Sequence, residues 1–333
     1  MKVEEWFDKN RFVASDFDPV ELLEIKKREK RKISCIIPTL NEGSTIGRVV
    51  SIIREELMEK LPLVDELIVV DSGSKDNTGQ EAQRAGAQFY FAKDILPSEG
   101  SGRGKGENLW KSLFVSGGDI ICWIDADIKN ISAKFVYGLV GPLLKNRDIW
   151  FSKAFYQRPL DLGAELKNLE GGRVTELFMR PLYNAYFPKL AGFIQPLSGE
   201  YAGTREVLEK VPFFTGYGVE MGLLIDLERS FGLEHICQVD LDERIHRNRP
   251  LQDLSKMSFE ILQAFSEKSN TLGVFVNLDK INQVYTMIEP KIRGGKQDYS
   301  LKKALFMARQ RPPMATLEEY RKKFLERAQV PNL

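Results

Sequence analysis

Cysteine, histidine and long apolar runs are scarce in this chain of 333 residues. Its three cysteines, Cys35, Cys122 and Cys237, lie far apart, each inside an apolar run. They indicate buried free thiols in a reducing compartment and argue against a disulfide or zinc framework. No stretch approaches the roughly 18 apolar residues that a membrane-spanning helix needs. Residues 1–10 lack a basic stretch followed by an apolar run, so we expect no secretory signal and a soluble, cytoplasmic protein.

An excess of charge of either sign is also absent. Lys and Arg total 48 against 47 Asp and Glu, which gives a formal net charge of +1. This balance argues against a protein whose general function is to coat nucleic acid or an anionic membrane, so we expect neither as a partner. Hydrophobic residues make up 43% of the chain, which allows a packed core and excludes wholesale disorder.

A regular alternation of strand and helix patterns begins after residue 32. Short apolar runs predict four buried strands, at residues 33–38, 65–71, 87–92 and 119–127. The segments between them have helical periodicity or glycine-rich turns. Strands that alternate with helices at this spacing predict a parallel sheet with right-handed crossovers, and therefore an α/β fold.

The remaining segments suggest how the chain is organised. We expect an N-terminal helical lead at residues 1–32 and an α/β half-domain at residues 33–150. The less regular residues 151–250 are expected to form the second half of the same domain. Residues 251–333 look mainly helical and predict a C-terminal extension.

The sharpest chemical signal is Asp125-Ala126-Asp127, which lies where the apolar part of the fourth predicted strand ends. Ligands of open α/β sheets bind at the carboxyl ends of the strands. Two carboxylates this close repel each other unless a cation neutralises them. A divalent metal that bridges a carboxylate and a diphosphate fits this position; the alternative is a solvated turn at the strand end.

Polar residues also follow the first two strands, at the same predicted edge of the sheet. Their carboxylates and backbone groups could bind a ribose and a base edge, whereas the alternative is helix capping by Ser74 and Asp76. The residues concerned are Pro38, Thr39, Leu40, Asn41 and Glu42 after the first strand, and Asp71 and Ser72 after the second.

Two glycine-containing segments precede helices and suit phosphate binding. Residues 100–106 match neither a Walker motif nor a dinucleotide fingerprint, but their backbone N–H groups and Lys105 could hold a phosphate. Gly172, Arg173, Val174 and Thr175 could hold a small phosphorylated or carboxylated substrate. The alternatives are a mobile surface loop for the first segment and a glycine turn with a Thr cap for the second.

Two further segments carry charge near predicted element ends. His246 lies among cations in residues 244–249 and could be a second metal ligand, and Arg244 could offset diphosphate charge. Tyr217 and Glu220 precede an apolar helix, where Glu220 either favours the helix dipole or binds sugar hydroxyls.

Taken in order, these motifs resemble those of GT-A glycosyltransferases and, more narrowly, the glucosyl-3-phosphoglycerate synthase family. The resemblance rests on PTLNE, VDELIVVDSGSKDNT, GKGENLWKS, DAD, GGRVTEL, GYGVE and RIHRN, and it covers about residues 33–250. It implies a Rossmann-like, mostly parallel sheet flanked by helices, with a largely helical C-terminal extension. It also implies that residues 33–150 form the nucleotide-sugar-binding half of the domain and residues 151–250 the acceptor-binding half.

The resemblance also implies a role for each matching position. Asp127 and His246 would hold Mg²⁺ or Mn²⁺, and Lys105, Asp127, Glu220 and Arg244 would act in catalysis. Ala126 departs from the Ser that the family often has, but only a backbone contact is needed there. Donor contacts would come from residues 38–42, Asp71, Ser72, Lys105, Asp125, Ala126, Tyr217, Gly218, Val219, Glu220, Arg244, Ile245, His246, Arg247, Asn248 and Arg249. Acceptor contacts would come from Gly172, Arg173, Val174, Thr175 and Asn248.

The implied reaction is transfer of glucose from UDP-glucose to 3-phospho-D-glycerate with retention, in a homodimer, as a step towards glucosylglycerate or a polysaccharide. Related mannosyl enzymes that use GDP-mannose share much of the pattern. A sugar-nucleotide nucleotidyltransferase is a further alternative, although such an enzyme would need a basic glycine-rich loop directly after the first strand, where this sequence has PTLNE. A membrane transferase acting on a polyprenyl phosphate and an inactive nucleotide-sugar-binding module are the remaining alternatives.

Overall fold

The structure is a computed structural model, and it describes residues 1–157, 160–161, 166–167, 172–245, 250–270, 284–293, 296–305 and 309–325. The strands are β1 (Arg11–Val13), β2 (Ile33–Thr39), β3 (Glu66–Asp71), β4 (Gln88–Phe91), β5 (Ile120–Trp123), β6 (Phe151–Gln157), β7 (Leu160–Asp161), β8 (Leu166–Lys167), β9 (Tyr201–Thr204), β10 (Phe213–Phe214), β11 (Ile236–Glu243), β12 (Val284–Arg293), β13 (Lys296–Leu305) and β14 (Gln310–Arg311). The helices are α1 (Val3–Lys9), α2 (Pro19–Glu29), α3 (Ile46–Arg54), α4 (Thr78–Arg84), α5 (Lys105–Val115), α6 (Lys134–Lys145), α7 (Arg180–Tyr186), α8 (Arg205–Leu208), α9 (Val219–Phe231), α10 (Leu251–Asn270) and α11 (Glu318–Tyr320).

An eight-stranded sheet forms the centre of the fold, in the order β1-β11-β6-β9-β5-β2-β3-β4. All neighbouring strands are parallel except β9, which is antiparallel to both β5 and β6. The predicted mostly parallel α/β sheet is therefore confirmed. Because the other seven strands share one direction, their carboxyl ends meet at a single edge of the sheet.

Both faces of this sheet are buried, which explains the continuous apolar runs in the sequence. On one face Ile36 packs in the same cluster as Trp110 of α5. On the other face Ile37 packs in a second cluster with Val49 and Val50 of α3, where apolar residues recur at helical spacing.

The N-terminal segment joins the same sheet. β1 pairs in parallel with β11 at the sheet edge, a strand that the sequence did not predict within residues 1–32. Trp6 of α1 is fully buried, and its Nε1 donates to the Ile236 carbonyl at 2.7 Å. Three strand residues are too few to show a periodic pattern.

The C-terminal region is only partly helical. The helix expected there is confirmed by α10, which runs for 20 residues. The expectation that residues 251–333 are mainly helical needs correction, because β12 and β13 form an antiparallel pair of ten-residue strands. In the sequence two glycines separate these strands, a spacing typical of a hairpin. Within the described ranges, no helix combines the length and apolarity required to cross a bilayer.

Candidate active site

The loops that follow β2 and β3 are tied together at the carboxyl edge of the sheet. The Asn41 backbone is left-handed (φ 57°), its N–H donates to Ser74 Oγ at 2.7 Å, and its Oδ1 accepts from Lys75 N at 2.9 Å. The Asp71 carboxylate is fully buried and accepts from Thr39 Oγ1 at 3.0 Å and from Ser74 N at 2.7 Å. Asn41 and Asp71 therefore shape these loops from outside the cavity described below.

The two acids of the DAD motif share one guanidinium. Arg244 Nη2 lies 3.0 Å from Asp125 Oδ2 and 2.7 Å from Asp127 Oδ1, while its Nε donates to Glu200 Oε1 at 2.8 Å. Although burial by itself lowers the pKa of Arg244, the carboxylates around it, Glu200 foremost, raise that pKa well above its usual value. The arrangement fixes both aspartates at the end of β5.

Lys105 approaches the same motif from the opposite side. It is the first residue of α5 and follows Gly104, whose φ of 99° is a conformation that favours glycine. Its Nζ lies 2.5 Å from Asp125 Oδ1 and 3.3 Å from Glu220 Oε1. Burial opposes the charged form, but these carboxylates outweigh it and raise the pKa of Lys105, so its amine stays protonated.

Two buried charges that the sequence did not predict lie beneath the motif. Glu200 is fully buried, accepts from Tyr156 Oη at 2.6 Å, and has its pKa raised by burial. Lys153 of β6 donates to the Ser198 carbonyl at 2.7 Å and lies over the Tyr201 ring at 4.0 Å. Burial lowers the pKa of Lys153 to about 7.

A cavity of about 480 Å³ opens at this edge of the sheet. Of the residues predicted to form the site, it is lined by Pro38, Thr39, Leu40, Glu42, Ser72, Lys105, Asp125, Ala126, Asp127, Gly172, Arg173, Val174, Thr175, Tyr217, Glu220 and Arg244. Arg103 and Gly104, which also line it, belong to the predicted phosphate-binding segment at residues 100–106. Lining residues that the sequence analysis missed are Asn108, Tyr156, Leu197, Gly199, Leu254, Met257, Glu260 and Ile261.

Other predicted residues do not line the cavity. Val219 is fully buried, and a Cβ on Gly218 would lie 2.4 Å from the Ala264 Cβ, so both pack against neighbouring helices. The Ile245 backbone bonds to the loop after β5, its N–H donating to Asn130 Oδ1 at 2.9 Å. The predicted His246, Arg247, Asn248 and Arg249 lie outside the described residues.

Helix α10 forms one wall of the cavity. Leu254, Met257 and Ile261 supply apolar surface there, and Glu260 accepts from Tyr217 N at 2.9 Å. Burial raises the pKa of Glu260. The only sequence signal for this wall is the amphipathic pattern of the helix, which does not reveal what the helix covers.

The carboxylates at the end of β5 suit a divalent metal ion whose remaining ligands come from a substrate. Over the described ranges no group of three or more His, Cys, Asp or Glu side chains could hold an ion. Mg²⁺ commonly takes one or two protein carboxylates together with substrate phosphate oxygens. Asp127 lines the cavity and binds Arg244 through Oδ1 only. It therefore suits such a site, whereas the second predicted ligand, His246, lies outside the described residues.

Comparison with known proteins identifies the family. The model of the family described as "Glycosyl transferase family 2" matches residues 34–210. The chain belongs to glycosyl transferase family 2. It is 47% identical over 323 residues to the glucosyl-3-phosphoglycerate synthase of Petrotoga mobilis, covering 97% of this chain and 98% of that protein. The protein of the same name from Mycolicibacterium smegmatis is 43% identical over 86% of this chain and 90% of its own length.

Solved structures of this family share the fold. The mannosyl-3-phosphoglycerate synthase from Rubrobacter xylanophilus has a TM-score of 0.84 and 35% identity, covering 95% of this chain and 99% of that one. The glucosyl-3-phosphoglycerate synthase from Mycobacterium tuberculosis in complex with Mn²⁺ and UDP-glucose has a TM-score of 0.75 and 40% identity, covering 90% and 94%. The predicted GT-A fold is thereby confirmed.

Proposed function

We propose that this protein transfers glucose from UDP-glucose to 3-phosphoglycerate, with Mg²⁺ or Mn²⁺ as cofactor. The observation that carries the proposal is the cavity that brings Asp125, Asp127, Lys105 and Arg244 together with residues 172–175. It holds acids for a cation, cations for a diphosphate and a second anion-binding segment. Relatives at 43–47% identity carry the name glucosyl-3-phosphoglycerate synthase, which supports this assignment.

The donor half of the cavity would bind the nucleotide. Its nucleoside end would be the part lined by Pro38, Thr39, Leu40, Glu42 and Ser72, where Ser72 Oγ donates to Asn108 Oδ1 at 2.8 Å. Asp127, with His246 as the second predicted ligand, would hold the metal, which neutralises diphosphate charge when bound. Lys105 and Arg244 would stabilise the departing UDP.

The acceptor half would bind phosphoglycerate. Residues 172–175 line the cavity where a helical turn begins, and Arg173 supplies a guanidinium. Backbone N–H groups at a helix start and an Arg fork suit phosphate and carboxylate. Their role would be to fix the acceptor hydroxyl beside the anomeric carbon, so that orientation supplies much of the rate enhancement. Asn248 is the further predicted acceptor contact.

Retention of configuration is part of the proposal. The acceptor would attack from the face that the leaving phosphate occupies, with a phosphate oxygen assisting removal of the hydroxyl proton. Glu220 is paired with Lys105 at 3.3 Å, which favours a role in holding Lys105 and the sugar over a role as nucleophile. Proton NMR of the product should show the same anomeric configuration as the donor, and an inverted product would contradict this step.

A donor-by-acceptor panel tests the function directly. UDP-glucose and GDP-mannose are each offered with 3-phosphoglycerate or glycerate, with Mn²⁺ or with a chelator. We expect UDP release from UDP-glucose only with 3-phosphoglycerate and metal. Preference for GDP-mannose would favour the mannosyl alternative, and binding without turnover would indicate an inactive module. In a parallel assay with a sugar phosphate and UTP, release of pyrophosphate would indicate a nucleotidyltransferase.

The assembly, location and physiological role of the protein are also proposals. By the resemblance to the synthase family, we expect a cytoplasmic homodimer whose product leads to glucosylglycerate or a polysaccharide. Light scattering of the purified chain, whose mass is 38.0 kDa, should then give twice that mass. A monomer at micromolar concentration would contradict the dimer.

A further inference from the structure

We propose that Arg311, near the C-terminus, positions the glycine-rich loop so that Lys105 meets the donor diphosphate. The inference rests on the donor-binding role proposed for Lys105. Arg311 lies in β14, far from Lys105 in sequence, and it is not among the residues that line the cavity. It would therefore act through the loop and not on the substrate.

Arg311 makes a fork-shaped pair with a buried carboxylate. Its Nε lies 2.9 Å from Glu107 Oε2 and its Nη2 lies 2.9 Å from Glu107 Oε1. Glu107 is only 1% exposed, so this pair is shielded from solvent. Paired N–H donors on a carboxylate fix geometry as well as adding energy.

The same two side chains hold the loop before Lys105. Glu107 Oε1 also accepts from Gly102 N at 2.9 Å, and Arg311 Nη1 donates to the Glu99 carbonyl at 2.7 Å. The loop contains several glycines, and the φ of Gly104 is 99°. Because glycine backbone is conformationally free, such a loop keeps one geometry only when outside contacts fix it.

Arg311 belongs to a C-terminal strap, residues 309–325, that crosses α5. One end of the strap lies at the loop, where Trp110 Nε1 of α5 donates to the Pro312 carbonyl at 2.9 Å. The other end is tied away from the cavity, where Tyr320 Oη donates to Glu209 Oε2 at 2.7 Å and accepts from Arg205 Nη1 at 3.0 Å. Arg311 and Tyr320 thus tie the same strap at two places, and of these two side chains only Arg311 bonds to residues 99–107.

This division provides a matched pair of variants. Arg311→Met removes the tie at the loop, and Tyr320→Phe removes a tie of the same strap at its far end. We expect Arg311→Met to raise the Kd for UDP with Mn²⁺ and the KM for the donor by about tenfold, the lower end of what loss of a supporting contact to a binding residue typically costs. The acceptor KM should change little. Tyr320→Phe should leave the Kd for UDP near the wild-type value, even where both variants lower Tm.

A double variant decides whether the effect passes through Lys105. In a Lys105→Ala background, adding Arg311→Met should weaken UDP binding little further. Full additivity of the two changes, or an equal effect of Tyr320→Phe, would overturn the inference. If Arg311→Met fails to fold, Arg311→Lys carries the test: it keeps the charge but not the fork, so the Kd for UDP should rise by a smaller factor, and an unchanged Kd overturns the inference.

The outcomes also separate this inference from the function proposed above. A wild-type protein that does not bind UDP with Mn²⁺ would overturn both. Normal binding by wild type and by Lys105→Ala would overturn the role of Lys105 and, with it, that of Arg311. Weakened binding by Lys105→Ala with normal binding by Arg311→Met would overturn the role of Arg311 alone.

Discussion

Carboxylates outnumber cations in the charged cluster at the end of β5. The acids are Asp125, Asp127, Glu200 and Glu220, and the cations paired with them are Lys105 and Arg244. Lys153, whose pKa burial lowers to about 7, adds at most one further positive charge. Each buried charge here is tolerated because it is paired and hydrogen-bonded. The excess of negative charge gives the cluster an affinity for a further cation, which agrees with a metal at Asp127.

Glu200 accepts hydrogen bonds from Arg244 and Tyr156 within this cluster, so its removal should lower the stability of the protein. Glu200→Ala leaves Arg244 with one fewer carboxylate and Tyr156 Oη without its acceptor, so we expect a loss of about 3 kcal/mol in the free energy of unfolding. Glu200→Gln keeps one acceptor oxygen for Arg244 Nε, and its amide NH2 can donate to Tyr156 Oη instead of accepting from it, so this variant should cost clearly less. Urea unfolding of the two variants measures the difference, and equal losses would contradict the role of Glu200 as the acceptor of both bonds.

Lys153 should make stability depend on pH above neutrality. Burial lowers the pKa of its amine to about 7, although Glu220 and Glu200 partly offset the effect, and the unfolded chain has a pKa of about 10.4. Between these values the unfolded chain binds a proton that the folded chain does not. The free energy of unfolding therefore gains up to about 1.4 kcal/mol per pH unit from this group. Lys153→Met should remove that gain, and a wild-type-minus-variant difference that stays constant from about pH 7 to about pH 10 would contradict it.

At the scale of elements, the sequence predicted those parts whose signals are local. β2, β3 and β5 are continuous apolar runs because both faces of a parallel sheet are buried. Since parallel strands end at one edge, the sequence pattern alone places Asp125 and Lys105 near a common ligand. The sheet neighbours of β9 depend on distant pairing, which adjacent residues do not encode. The hairpin of β12 and β13 is local, and its signal, two glycines between the strands, is one that the sequence analysis did not use.

The same distinction separates predicted from missed site residues. Glu200 stands in GEYAG, where nothing local shows that pairing of β9 with β5 and β6 buries its carboxylate against Arg244. Lys153 stands in an ordinary strand, and its burial follows from the sheet order. Glu260 reaches the cavity only because α10 folds back over it. These positions are set by tertiary contacts, and a single sequence carries little information about those.

The packing of α5 on β10 depends on a glycine. A Cβ on Gly106 would lie 1.8 Å from the Phe214 carbonyl oxygen, so Gly106→Ala must displace backbone. We expect a loss of about 1–3 kcal/mol in stability and a shift of Lys105. Gly47→Ala is the matched control, because Gly47 is also the second residue of its helix and its nearest neighbour would be 3.6 Å away. That variant should be neutral or gain up to about 1 kcal/mol, and equal unfolding energies for the two would contradict the close packing.

At the scale of the whole molecule, the cavity is assembled from distant parts of the chain. Loops after β2 and β3, the start of α5, the end of β5, residues 172–175 and helix α10 all contribute to it. Its lining includes Tyr156 of β6 and Asp125 after β5, strands that lie on either side of β9, the single antiparallel strand of the central sheet. Binding should therefore stabilise the fold as one cooperative unit.

Metal and nucleotide should stabilise the protein strongly when both are bound, and much less when either is added alone. Within the ranges described no group of three or more His, Cys, Asp or Glu side chains could hold a metal ion, so Mn²⁺ alone should shift Tm little, whereas UDP supplies the missing oxygen ligands. With both present, and UDP at about 100 times its Kd, we expect about 2.7 kcal/mol of added stability. Asp127→Asn should lose most of this gain, and Asp8→Asn, a change at an exposed position in α1, should keep it. Differential scanning calorimetry with and without chelator measures the shift. A gain from UDP that the chelator and Asp127→Asn both leave intact would remove Asp127 from the metal site.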